Sequence, residues 1–548
     1  MKKKAMPLAV GAATAVVMST AQAAMYVNDR GTGEALVFPF YSAENGNSTL
    51  INIANTTDDH KAVKVRIIEA QNSAEVLDFN LYLSPEDHFS FAISATDEGG
   101  AQLVTGDNSC TVPTIDGPVA FRNFAYDQDL ADDDPDTAAD ESFDNTGIGR
   151  TQVGYIEVIE MGQLDDDAPA AEDAINMADA ITHDSDGVPA NCAQLVAAWS
   201  VTDGVPGAWL AESLDDQIRR GVTDMESLWS GGGLYGYGVV INVPQGAAIG
   251  YDATAIAAAV DTATDVDLPN KGTGWAMHYE PGDQQPNFLD SAFKTESLVA
   301  DGSGNTNAME FSDVAAYAAD GVDGLQAINS TIMATEIYND YVTDPAIAAT
   351  TDWVLTFPTK TFHVTAAPLA YEPFSERWNG LTACEPTKLF AVDREESTPP
   401  IVPPGSAGPD FSPRPPGIDI EIDENDLPLC YETTILQFAD ESAAGTSTVA
   451  IGVGDLLDAN DGWATLSFDP AVLDANTIGD GISGCQGAIG DADNCARQIT
   501  DGTSVLTGLP VVGFAVQKYV NGDLDGLRAN YAMSTEHKSM LDQSAAAN

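Results

Sequence analysis

Acidic residues outnumber basic ones 84 to 22, for a formal net charge of −62. With 44% hydrophobic and 19% charged residues, the composition is that of a folded body. A disordered acidic tail would combine low hydrophobicity with high charge. The acids therefore sit on a surface. A surface of one sign repels itself, and salt shortens that repulsion from a Debye length of about 8 Å at physiological ionic strength to about 3 Å at molar salt. The chain suits a marine or halophilic exterior with divalent cations as counterions. Nucleic acid is excluded as a partner, because phosphate affinity needs clustered Lys and Arg, and anionic membranes are disfavoured for the same reason.

The first residues read as an export leader. Lys2, Lys3 and Lys4 precede an apolar run from Ala5 to Val17, and Ala21-Gln22-Ala23 supplies the small-residue cleavage pattern. Its removal takes three lysines and no acids. No later apolar run reaches the roughly 18 residues needed to span a bilayer, so the expectation is an exported protein, extracellular, at the cell surface or periplasmic. In an oxidising destination the six cysteines Cys110, Cys192, Cys384, Cys430, Cys485 and Cys495 form three disulfides. Chain order favours Cys110 with Cys192, Cys384 with Cys430, and Cys485 with Cys495.

Hydrophobic alternation gives the fold class. Val63, Val65 and Ile67 alternate with Lys64 and Arg66, and Leu77, Phe79, Leu81 and Leu83 alternate with Asp78, Asn80 and Tyr82, the period of strands with one buried face. Turn residues interrupt them every ten positions or so, the rhythm of an antiparallel sandwich. Helical patterns run over Ala170 to Ile181, Ala208 to Trp229 and Phe311 to Tyr341, with acidic loops at Asp132 to Asp136 and Asp165 to Asp167. Strand candidates return at Trp353 to Phe357, Lys388 to Val392, Tyr431 to Phe438, Thr448 to Val453, Trp463 to Phe468 and Val511 to Val520. The expected class is mainly β, α+β overall, with Ig-like antiparallel β-sandwich regions and a mixed α/β middle insertion. The expected divisions are a signal peptide at 1–23, an N-terminal sandwich at 24–125, a mixed region at 126–345, and a β-rich region at 346–548 carrying a Pro-rich loop at 399–416.

Motifs for chemistry are sparse. Asn521, Asp523 and Asp525 precede Gly526 at alternate positions, as a calcium loop requires, but Ala532 stands where an EF-hand places its bidentate Glu. A turn between strands is the stronger reading, and calcium is the sole cofactor candidate. Thr182 to Gly187 is a poorer copy of the same pattern. Gly481-Ile482-Ser483-Gly484-Cys485 lacks the closing glycine of a nucleophile elbow, and no two histidines stand at i, i+4. Trp209, Trp229, Trp353, Trp378 and Trp463 could form a carbohydrate-stacking face, although tryptophans in β modules are more often core.

Several stretches resemble an uncharacterised family of exported proteobacterial proteins: Arg30 to Gly33 with Val37 to Tyr41, Leu77 to Pro85, Thr351 to Lys360, Asp393 to Glu396, and Val512 to Phe514 with Asn521-Gly522. The resemblance runs through most of the mature chain, implies one assembly and transfers no activity. The sequence thus leads to a structural, adhesive or ligand-binding protein at the cell exterior, more a binder than an enzyme. Its partner would be a surface protein or polysaccharide, and a homo-oligomer is compatible with it. The alternatives are a secreted glycan or ester hydrolase and a calcium-stabilised scaffold.

Overall fold

A computed structural model describes residues 24–126, 146–167, 175–213, 225–226, 232–259, 277–290, 293–300, 306–365, 372–374, 378–394, 426–439, 442–445, 447–454, 457, 460–470, 497–524 and 527–546. The chain is mainly β, 49% strand and 12% helix, in several antiparallel sheets of sandwich-like arrangement. The leader, the Pro-rich loop, the acidic run Asp132 to Asp136, Cys485, Cys495 and Asp525 lie outside the described residues.

Two sheets form the first sandwich. One runs Tyr26–Val27, Thr254–Ala257, Ala35–Ser42, Val153–Leu164, His60–Glu69, Glu75–Leu83, Cys110–Val112, with Met225–Glu226 pairing on Val153–Leu164. The other runs Ala247–Asp252, Leu234–Asn242, Asn47–Asn55, His88–Ala95, Ala101–Val104, Val119–Ala120. Phe38, Val63, Val65 and Phe79 of the first sheet meet Ile51, Ile53, Phe89 and Phe91 of the second in one core, as alternation requires. The sheets cross the boundary expected at residue 125. Val153–Leu164 is inserted between Ala35–Ser42 and His60–Glu69, and Leu234–Asn242 pairs with Asn47–Asn55. Period-2 patterning identifies strands but not their neighbours, so the sandwich begun by the first hundred residues is completed by strands far along the chain.

The larger sheet is covered on its other face as well. Ala62, Tyr82, Tyr155 and Met161 pack beneath residues of Met177–Ile181, Cys192–Ala198 and Ala208–Ser213, together with Trp199, Trp209 and the helix Asp323–Thr331. The helical expectations overran: Met225–Glu226 is strand inside the predicted Ala208 to Trp229 helix, and Met333–Ala334 and Glu336–Val342 are strands inside Phe311 to Tyr341. Tertiary pairing overrides local propensity there. Cys110 joins Cys192, and Cys384 joins Cys430, the two described pairings that chain order favoured.

The second sandwich has a sheet in the order Asp426–Leu429, Glu385–Asp393, Asp461–Ser467, Glu336–Val342, Lys538–Met540, facing a sheet in the order Ala450–Gly452, Thr433–Gln437, Ala349–Thr356, Val512–Leu524, Leu527–Glu536. Trp353, Leu355, Leu389, Leu436 and Leu466 fill the space between them. The opposite face of the latter sheet sends Val354, Ile435, Phe514 and Val516 into the core of the first sandwich. Polar contacts lock this seam: the Thr433 N–H donates to the Ala70 carbonyl at 2.9 Å, the Thr356 hydroxyl to the Pro39 carbonyl at 2.5 Å, and the Thr448 hydroxyl to Glu44 at 2.7 Å.

Two buried carboxyls at the seam make stability depend on pH. Burial pushes Asp352 up to about 6 and Glu432 up to about 8. In the unfolded chain both ionise near 4. Between about pH 5 and pH 8 the folded protein holds protons that the unfolded chain has lost, so stability declines as pH rises through that window. The combined loss is expected to be on the order of 5 kcal/mol. Thermal unfolding at three pH values across the window measures it, and Glu432→Gln should flatten the slope.

Candidate ligand-binding face

Lys61, Lys64, Arg66, Arg150, Lys294, Lys360, Arg497 and Lys518 are all buried. Lys61 pairs with Glu160 at 2.7 Å, Lys64 with Asp78 at 2.5 Å, Arg150 with Glu69 at 2.9 Å and Arg497 with Glu385 at 3.0 Å. Arg66 bridges Glu75, at 2.8 Å, and Glu157. The alternation that assigns Lys64 and Arg66 to a solvent face is therefore corrected: their face lies beneath the covering layer, and the polar residues on it are paired.

Among the described residues, His183, His278 and His537 do not form a nucleophile, base and acid array. His183 Nδ1 lies 3.1 Å from the Ser84 hydroxyl and 3.8 Å from Asp87 Oδ2, so both neighbours meet the same ring nitrogen, whereas a triad needs the nucleophile and the orienting acid on opposite ones. His278 is enclosed by Tyr82, Trp199 and Trp209; burial lowers it to about 3, which keeps it neutral. His537 contacts the Val354 carbonyl at 3.0 Å and is likewise lowered by burial, to about 4. Among the described residues, no three His, Cys, Asp or Glu side chains converge as metal ligands. Asn521 and Asp523 fall in the strand Val512–Leu524, where Asp523 faces Arg528 and Leu524 faces Leu527 across the hairpin. In the second calcium-like stretch, Asp184 Oδ1 accepts the N–H groups of Asp186 and Val188 at 2.8 and 3.1 Å, an Asx turn.

One sheet face gathers side chains suited to a ligand. In Asp461–Ser467, Ala464 and Leu466 point into the second core, so Trp463 and Thr465 point outward. Thr465 stands opposite Phe390 on one side and Tyr338 on the other, while Trp463 stands opposite Val392 and Asp340. Trp463 is 44% exposed and Phe390 41%. The Tyr338 and Trp463 rings lie 6.3 Å apart, tilted by 47°, and the Tyr338 hydroxyl donates to Glu336 at 2.6 Å. Phe390 and Tyr338 are two strand spacings apart, about 10 Å.

The same face collects scarce cations. Among the residues whose side chains are described, the cations that are not buried are Arg30, Arg122, Lys388, Arg394 and Lys538. Lys388 stands opposite Ser467, Lys538 opposite Tyr338, and Arg394 pairs with Asp461 at the end of the central strand. Of the other tryptophans, Trp209 and Trp353 are buried, while Trp229 lies outside the described residues. The sequence held a signal that separates Trp463 from Trp353. Trp353 is followed at i+2 and i+4 by Leu355 and Phe357, whereas Trp463 is followed by Thr465 and Ser467, with Ala464, Leu466 and Phe468 on the alternate, inward positions. No known family model, curated protein or solved structure matches the chain.

Proposed function

We propose that this is an exported structural or adhesive protein that binds a polysaccharide at the cell exterior through the face bearing Trp463, Tyr338 and Phe390. The observation that carries the reading is the coincidence of these outward aromatics with Lys388, Lys538 and Arg394 on an otherwise acidic molecule. Ring faces pack against the apolar C–H faces of sugars, and the flanking lysines and carboxylates can hydrogen-bond hydroxyl or acidic substituents. A shallow face of this kind binds each site weakly, which suits adhesion built on repeated contacts.

Affinity electrophoresis of the mature protein through gels containing neutral or acidic polysaccharides tests the reading. At least one polysaccharide should retard the protein, and Trp463→Ala should weaken retention tenfold or more. Because that ring is half in solvent, its loss should leave the melting temperature nearly unchanged. Equal retention of wild type and variant, or none by any polysaccharide, rejects the proposal; release of shortened sugars in the same gels would move the reading to a hydrolase.

A further inference from the structure

We infer that the outer face of the six-stranded sheet in the first sandwich is a self-association surface whose occupant is a second copy of this chain. This face is distinct from the aromatic one and does not depend on its assignment. The five strands Ala247–Asp252, Leu234–Asn242, Asn47–Asn55, His88–Ala95 and Ala101–Val104 carry a single carboxylate, Asp252, and no Lys or Arg. Leu50, Tyr235 and Tyr237 are exposed on it. On a molecule of this charge, a second copy is repelled from almost every direction, and a broad face without charge is where it can approach.

The register makes the face complementary to itself. Asn47–Asn55 is flanked on one side by the large outward residues Tyr237, Val239 and Ile241, and on the other by the small ones Ser90, Ala92 and Ser94, paired through Asn52, Leu50 and Ser48. A two-fold axis running along this strand, between two sheets stacked face to face, lays Tyr237 of one copy over Ser90 of the other, Val239 over Ala92 and Ile241 over Ser94. Continuing outward, Gly250 falls over Val104. Bulk thus meets trough on either side of the axis, while Ser48, Leu50 and Asn52 on the axis meet their own counterparts, within the roughly 30° offset of aligned sheets. Growth at one edge of the sheet is blocked, since Leu527–Glu536 lies along Ala247–Asp252, with the Asn530 amide donating to the Gln245 carbonyl at 2.5 Å and the Ser534 hydroxyl to the Gly250 carbonyl. Five strands at about 4.8 Å and four outward rows give on the order of 500 Å² per copy, so roughly 1,000 Å² in total, at the lower limit for a specific interface.

The association is therefore expected to be weak and isologous, and to tighten with salt as the acids around the rim are screened. Sedimentation velocity of the mature chain over a concentration series, at low and at molar sodium chloride, tests this. A monomer–dimer equilibrium that tightens in high salt is expected. Tyr237→Lys should weaken it at least tenfold, Ser90→Trp should do so by filling the trough, and Phe390→Lys on the other sandwich should leave it unchanged; circular dichroism confirms that each variant is folded. A protein that stays monomeric to millimolar concentration in both salts overturns the inference, and so does a dimer indifferent to both Tyr237→Lys and Ser90→Trp.

Discussion

Replacing Arg66 with methionine is expected to destabilise the protein by about 3 to 5 kcal/mol, the range found when one partner of a buried ion pair is removed. Arg66 is inside the covered face of the larger sheet and holds both Glu75 and Glu157. Its removal leaves two carboxylates facing each other without a counter-charge. Burial already pushes Glu157 up to about 7 despite the guanidinium beside it, so the variant's carboxyls would have to take up protons in order to fold. Urea unfolding at pH 7.5 measures the loss, and the triple variant Arg66→Met, Glu75→Gln, Glu157→Gln should recover much of it. A shift in the urea midpoint equivalent to less than about 1 kcal/mol would place Arg66 in solvent and contradict the covering layer.

Removing the Cys110–Cys192 bridge is expected to cost about 4 kcal/mol on the chain-entropy account for two residues 82 apart in sequence. The bond ties the edge strand Cys110–Val112 to the start of the helix Cys192–Ala198, whose Leu195 and Ala198 share a core with Ala62 and Tyr82 on the covered face of the larger sheet. Cys110→Ser with Cys192→Ser should therefore lower the denaturation midpoint and also admit protease to the covering segment before the first sandwich unfolds. Reducing the wild-type protein should reproduce the effect only where reductant reaches Cys110, which is buried. Unchanged stability in the double variant would mean that the covering layer holds without the bridge.

What could be read from the sequence follows from what periodicity encodes. Val63, Val65 and Ile67 were legible as core because alternate residues of a strand face opposite ways, and they do line the first core. Lys64 and Arg66 were misassigned because polarity marks solvent only if nothing covers the sheet, and the cover comes from residues more than a hundred positions later. The pairing of Val153–Leu164 between two earlier strands was equally hidden, since no local feature names a strand's neighbours. The candidate site was partly legible. The outward parity of Trp463 is written in Thr465 and Ser467, but Phe390 sits among Leu389, Ala391 and Val392, where every residue is apolar and both faces look alike. That Tyr338 would stand beside them required knowing that a stretch with a helical pattern becomes a strand.

The late insertion of Val153–Leu164, Leu234–Asn242 and Thr254–Ala257 has a consequence for how the molecule is made. When synthesis has delivered the first 125 residues, the sheets they begin still lack their central and flanking members, and roughly 130 more must emerge before those places are filled. At about 5 to 20 residues per second, the nascent polypeptide spends on the order of ten seconds with sticky, half-built ribbons, the state in which unpaired edges seek the wrong mates. The topology thus leaves strand edges unpaired for that whole interval, whatever the finished molecule holds on to.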